Sequence, residues 1–340
     1  MNYRRLGKAG IKVSEIGFGN WLTHGEGGVS DDVARACVRR AFDLGVNFFD
    51  TADKYRRGLA EEVFGRELKA FRRQDLVLGT KVFLPMSENV NDRGLSRKHI
   101  FESVHNSMRR LQTDYIDLYQ CHEFDPDVEL YEIVRTMDDL TRQGKILYWG
   151  VSKWSALQIE EVCRLARQIN AYPPVSNQSE YNLATRSVET NGVQAACLRE
   201  GIGMLVIMPL KQGILSGKYS GGNVPPDSRG AREKLIKRAL EEGGLELLDR
   251  VDRLQPIAER VNCTLPQLAI AWLLGRDAVS NVIIGATNAA QIEKNVAATG
   301  VELTADDITQ IEEIFPPDLQ AAAGQPTAGA TSAPPFASAS

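Results

Sequence analysis

Residues 47–55 read NFFDTADKY: two adjacent phenylalanines run straight into Asp50, and a tyrosine follows five positions later. An apolar run that stops at a carboxylate reads as a strand leaving a core at a polar rim, because a buried charge needs a partner. The same pattern recurs down the chain. Short β-rich runs occupy 16–19, 46–49, 76–80, 115–120, 146–151, 175–178, 204–208 and 281–284, eight in all. Between them, apolar residues recur at three- and four-residue spacing: Ala34/Cys37/Val38/Ala41, Ile100/Val104/Met108/Leu111, Ile133/Val134/Met137/Leu140 and Ile159/Val162/Cys163/Ala166. That spacing lays one stripe of a helix against a sheet. Ser30, Ser96, Ser155 and Thr304 stand where N-caps belong, Asp31 and Asp32 lie in a first turn, and Gly45 and Gly144 follow helix ends.

Strict alternation of strand and helix implies parallel pairing with right-handed crossovers, and eight such units close into a (β/α)₈ TIM barrel of the α/β class. The competing doubly wound sheet lacks its fingerprint. Gly17-x-Gly19 has Leu22 at the third glycine's place, and Gly201-x-Gly203 precedes its strand. The pieces 3–5 and 11–13, separated by GKAG, predict a β-hairpin that plugs the barrel's floor. Residues 1–315 are therefore expected as one barrel domain. Residues 316–340, rich in Ala, Ser, Pro and Gly, are expected as a disordered low-complexity tail. The segment 209–244, rich in Gly, Pro and charge, separates the seventh strand from its helix, and a loop of that length points to function.

Composition narrows the partners. A chain of 340 residues with 43% apolar and 25% charged residues matches a soluble globular protein. A net charge of −4 and a pI near 5.8 give no field to attract nucleic acid or anionic membranes. No apolar leader or spanning segment is apparent, so a cytoplasmic location is expected. Five scattered cysteines without a CxxC pair read as reduced, buried thiols.

In a barrel, side chains at the C-terminal strand ends share one mouth. The second strand ends at Asp50, the third at Lys81, the fourth at His122, and Tyr55 sits on the loop after the second. A phenol beside an ammonium has its acidity raised, and a buried lysine needs a counter-charge such as Asp50 to stay protonated. His122 can hold a carbonyl oxygen opposite the phenol. Together the four groups suit protonation of an oxygen whose carbon receives a hydride. Two loops look able to hold the phosphates of the cofactor this requires. PLKQGILSGKY offers Gly213, Gly217 and Lys218, and GATNAAQIEKN offers Thr287 and Asn288 at a helix start. Two other readings are weaker. A Schiff base on Lys81 needs a neutral amine, which Asp50 opposes. A metal site from Cys121, His122, Glu123 and Asp125 fails because alternation turns Cys121 and Glu123 away from His122.

Taken in order, IGFGNW, FFDTADKY, LGTK, DLYQCH, YWGVSKW, NQSEYN, PLKQGILSGKY, CTLPQLAIAWLL and VIIGATNAAQIEKN resemble the aldo-keto reductases over residues 2–315. Within them the chain is similar to the branch of potassium-channel beta subunits and their bacterial relatives. The resemblance implies NADP-dependent reduction of a small-molecule carbonyl substrate, with Tyr55 as proton donor and Asp50, Lys81 and His122 completing a tetrad. NADPH would lie extended across the mouth. Asn20 and Trp21 match positions near nicotinamide and substrate, and Ser152 and Gln178 match those that hold the carboxamide. Pro209, Leu210 and Gly213 with Lys218 match the pyrophosphate loop. Arg229, Thr287, Gln291 and Asn295 match the adenosine and 2′-phosphate site. Asp50, Lys153 and Gly285 join the cofactor contacts, and Trp154 joins Trp21, Tyr55 and His122 around the substrate. The same resemblance carries an alternative, an NADP-binding regulatory subunit that reports redox state; His122 speaks against it, since the channel-associated proteins depart from histidine there.

Three positions depart from the family pattern. Ile207 stands where relatives have an aromatic against the nicotinamide, Lys294 replaces a glutamate beside the adenine, and Arg56-Arg57-Gly58 replaces the usual glycine after Tyr55. The two arginines raise the expectation of anionic or phosphorylated substrates.

Overall fold

Strands β1 (Tyr3–Arg5) and β2 (Lys12–Ser14) pair antiparallel ahead of eight parallel strands that close on themselves. These are β3 (Ile16–Gly19), β4 (Phe48–Asp50), β5 (Val77–Val82), β6 (Ile116–Cys121), β7 (Ile146–Ser152), β8 (Ser176–Glu180), β9 (Gly203–Ile207) and β10 (Val279–Ile284). The ring runs β10-β3-β4-β5-β6-β7-β8-β9, so the sequence order of the strands is also their spatial order. The computed structural model describes residues 1–21, 29–226, 228, 231 and 244–317. Residues 318–340, most of the expected tail, lie outside them, as does Arg229.

All eight expected strands form, with shifted ends that have local causes. Val46 does not join β4, because its N–H is taken by the Ala41 carbonyl of the preceding helix (3.0 Å) after Gly45 turns at φ +88°. Strand β4 instead runs through Asp50, which pairs with Gly19 on one side and Gly79 on the other. Strand β5 continues to Val82, so Lys81 lies inside a strand, in register with Gln120 of β6.

Helices α1 (Asp31–Asp43), α2 (Leu59–Leu68), α3 (Arg97–Leu111), α4 (Leu130–Arg142) and α5 (Ala156–Gln168) follow the first five barrel strands. The expected stripes on α1, α3, α4 and α5 are the buried faces of those helices. Ser30 and Ser96 accept capping bonds from the backbone, and Ser155 and Thr304 each close a capping box. Cys37, Cys121, Cys163 and Cys197 are buried in this outer layer, whereas Cys263 is partly exposed, against expectation. No helix among the described residues is long and apolar enough to cross a membrane.

A second, smaller core fills the barrel itself. Phe48, Val77, Leu118, Leu205 and Ile283 point inward from five strands, and Leu6 and Val13 of the hairpin close the layer from below. Arg4 fixes the hairpin to the barrel through Glu15 (2.6 Å) and the Val279 carbonyl (3.0 Å). The hairpin is thus a floor with its own apolar contacts. Leu6, fully buried, should lose about 2–5 kcal/mol of stability when changed to alanine. Urea titration reads this directly, and a loss under about 0.5 kcal/mol, the size of a surface substitution, would mean the floor carries no weight.

Candidate active site

The open end of the barrel gathers polar groups where the inner apolar layer stops. The Lys81 ammonium, fully buried, donates to Asp50 Oδ2 (2.7 Å), to the Thr51 carbonyl (2.7 Å) and to Tyr55 Oη (3.3 Å). An ammonium has three protons, and here each has one acceptor. Because Tyr55 Oη accepts from Lys81, its own hydrogen is left to point elsewhere. Asp50 is held in turn: its Oδ1 accepts from Gln120 Nε2 (3.2 Å) and Gln178 Nε2 (3.1 Å). His122 follows β6, its N–H bonded to the Val82 carbonyl (2.9 Å), and its ring stands edge-on to Tyr55 with centroids 5.8 Å apart. The four expected groups therefore meet in one place.

Electrostatics sort their protonation states. Burial opposes charge on Lys81, but Asp50 and then Tyr55 overcome it and raise the lysine above its ordinary value. Lys81 is an ammonium, which disfavours the Schiff-base reading. Burial also raises the Tyr55 phenol, and although Lys81 pulls it down, the net direction is upward. This corrects the expectation of a net acidified phenol: the desolvation of phenolate outweighs the pull of one nearby ammonium. His122 is pushed down to about 2 by burial and then by Lys81 and Lys153, so its imidazole is neutral. Its Nδ1 is buried with no partner among the described residues.

Behind this cluster lies a network that the sequence did not disclose. Asp53, fully buried, accepts from Ser103 Oγ (2.8 Å), and Glu61 joins Arg110 (2.6 Å) to Thr80 (2.5 Å). The Asp53 carboxyl is pushed up to about 7 by burial and then by Glu61, against the hydrogen bonds of Ser103 and the Lys54 N–H and the charge of Arg110. The folded chain thus keeps a proton that the unfolded chain releases at 3.8. The stability this proton contributes is complete below 3.8 and falls as pH rises through about 7, at about 1.4 kcal/mol per pH unit. Asp53→Asn should flatten that portion of the pH–stability curve, as urea midpoints would record; an unchanged slope would show that Asp53 does not titrate there. Gln120 was also missed, although alternation puts it on the same face as His122.

The remaining expected residues are spread around the same mouth. Asn20 is buried after β3, donates to the Ala60 carbonyl (2.8 Å), and leaves Oδ1 without a partner among the described residues. Trp21 is exposed, its ring 6.4 Å from that of Tyr55. Ser152 ends β7 in register with Gln178, its Oγ buried and unpartnered among the described residues. Lys153 sits at φ +59° with its ammonium on Glu123 (2.9 Å). Trp154, expected at the substrate, is only 1% exposed and packs edge-on against Phe124 (5.0 Å), inside the core and not on an open wall.

After β9, Pro209 is buried and Leu210 partly so, and the chain turns through left-handed Lys211, Gln212 and Gly213. At Gly213 (φ +98°) a Cβ would lie 2.7 Å from the Lys218 ammonium, so the lysine crosses directly over bare backbone. After β10, Gly285 is exposed, Thr287 N–H and Oγ1 both donate to Gln291 Oε1 (2.9 and 3.3 Å), and Asn288 caps the helix Ala289–Val296, in which Asn295 is buried. Strands β9 and β10 are neighbours, so both loops open on one side of the ring. Unpartnered buried amide and hydroxyl oxygens at Asn20 and Ser152, an exposed cation over glycine backbone and a capped helix start suit a carboxamide and a diphosphate.

A parallel barrel whose mouth joins a buried ammonium–carboxylate pair to a phenol, beside phosphate-competent loops, defines an oxidoreductase built around a nicotinamide dinucleotide. The chain belongs to the aldo/keto reductase family, whose model matches residues 15–315. Its activity is accordingly the nicotinamide-dependent reduction of carbonyl compounds.

Proposed function

We propose that the protein is an NADPH-dependent reductase of aldehydes and ketones in which Tyr55 is the general acid, acting with Asp50, Lys81 and His122. The observation that carries this reading is the fully occupied Lys81 ammonium: by filling a lone pair on Tyr55 Oη it leaves the phenol's proton as the one available for donation. A bound cofactor supplies the hydride to the carbonyl carbon. The carbonyl oxygen is held by the neutral His122 imidazole, Tyr55 transfers its proton to that oxygen, and Lys81 stabilises the phenolate left behind. Asp50 keeps Lys81 charged, while Gln120 and Gln178 hold Asp50 in place.

Asn20, Ser152 and Gln178 would hold the carboxamide, with Asp50, Trp21, Lys153 and Gly285 nearby. Pro209, Leu210, Gly213 and Lys218 would hold the diphosphate. Preference for NADP over NAD rests on the likeness of Thr287, Gln291, Asn295 and Arg229 to a 2′-phosphate site. Location in the cytoplasm accords with the scattered, unpaired cysteines.

Turnover of 4-nitrobenzaldehyde, followed at about 340 nm with NADPH and NADH in parallel, tests the reading: NADPH should give the higher kcat/KM. Equal use of NADH would remove the cofactor preference. At most very slow turnover would favour the regulatory alternative resembling channel beta subunits. Because the phenol is raised above 10.0, kcat/KM for reduction should stay flat through neutral and mildly alkaline pH and fall only above that value. A fall centred near neutrality would place the proton on another group.

A further inference from the structure

We propose that the mouth prefers carbonyl compounds bearing a carboxylate or phosphate, and that Arg56 and Arg57, the two residues after the phenol, bind that anion. The inference rests on the reading of Tyr55 as proton donor and extends it to substrate class.

The loop 51–58 (TADKYRRG) carries three cations flanking Tyr55 in sequence, Lys54, Arg56 and Arg57, and its one acid, Asp53, is buried against Ser103. Lys54 is engaged by the Pro85 carbonyl. Two arginines of α2 and α3 grip carboxylates: Arg66 holds Glu67 (2.7 Å) and Arg110 holds Glu61 (2.6 Å). Arg56, half-buried, and Arg57, exposed, form no ion pair among the described residues. Two guanidinium forks, each with five donors matched to carboxylate or phosphate geometry, are therefore unpaired on the two residues that follow the phenol in the chain.

The backbone beneath them is fixed, and it is costly. Arg56 and Arg57 stand at φ +50° and +53°, a region where arginine has none of the local hydrogen-bonding help that asparagine has. Gly58 follows at φ +93°, and a Cβ there would fall 2.6 Å from Arg110 Cδ, so the turn rests on the partly buried Arg110–Glu61 pair. The Arg57 N–H closes the turn on the Lys54 carbonyl (3.0 Å). Strain held in place next to a proton donor, and at residues whose charges are unspent, runs toward a ligand and not toward folding. The loop leaves from β4, with β3 between it and β10, so these arginines are apart from the phosphate-competent loops after β9 and β10.

The test is a near-isosteric pair of substrates, 4-carboxybenzaldehyde and 4-nitrobenzaldehyde, with the full chain and NADPH. The wild type should favour the carboxylate in kcat/KM by about tenfold or more, the scale of one charged hydrogen bond. In Arg56→Asn/Arg57→Asn, which tolerates the left-handed backbone, that ratio should fall about tenfold; Arg56→Lys/Arg57→Lys should keep part of it. Raising salt from about 0.02 to 0.2 M should compress the wild-type ratio. Glyceraldehyde 3-phosphate against glyceraldehyde repeats the comparison for phosphate. An equal loss on both members of a pair, or a ratio untouched by the double substitution, overturns the proposal. Should the wild type reduce none of these, the reductase reading fails, and calorimetric titration with succinate still decides this one: binding lost in the asparagine variant supports it, and absence of binding to the wild type overturns it.

Discussion

Tyr55→Phe should lower kcat for aldehyde reduction by about 10²- to 10⁴-fold, the range a positioned general acid contributes. The ring and its contacts with Trp21 and His122 remain, so the change removes one oxygen and one proton. Lys81 loses one of three acceptors and keeps Asp50 and the Thr51 carbonyl, so the fold should be spared. NADPH binding, read by fluorescence, should change far less than kcat. A variant that consumed NADPH at the wild-type rate would end the assignment of Tyr55, whatever the fate of the other residues.

The second large effect concerns the pair beneath the phenol. Lys81→Met strands the Asp50 carboxylate with two amide donors in a buried site, and Asp50→Asn strands the ammonium with the Thr51 carbonyl and the phenol. Each single change should destabilise the barrel by about 3–5 kcal/mol, because an uncompensated buried charge remains. The double variant Asp50→Asn/Lys81→Met removes both charges and should regain most of that loss while staying inactive. Urea unfolding of all four proteins gives the coupling directly. A coupling below about 0.5 kcal/mol would mean that the two groups do not depend on each other.

The barrel was legible because its signals are local. Short β-rich runs such as 16–19 or 281–284 and the stripe Ala34/Cys37/Val38/Ala41 each declare an element before any long-range contact exists. Strand ends then made Asp50, Lys81 and His122 readable as neighbours. What failed to show was whatever depends on the environment a residue finally meets. The net upward direction at Tyr55 is set by loss of water, which no motif encodes, and nothing local to Asp53 announces its burial against Ser103 or the charge of Glu61 on α2. Trp154 was placed at the substrate by likeness, and its burial against Phe124 is a matter of tertiary packing that no motif encodes. Gln120 was legible by position, two residues before His122 on the same strand face, but a neutral amide carries no charge to mark it.

One of the three anchors of Lys81 is the main-chain oxygen of Thr51, not a side chain. No substitution at position 51 can delete that acceptor without bending the chain itself. Variation or engineering can therefore rework the phenol while the lysine head keeps one anchor written into the backbone.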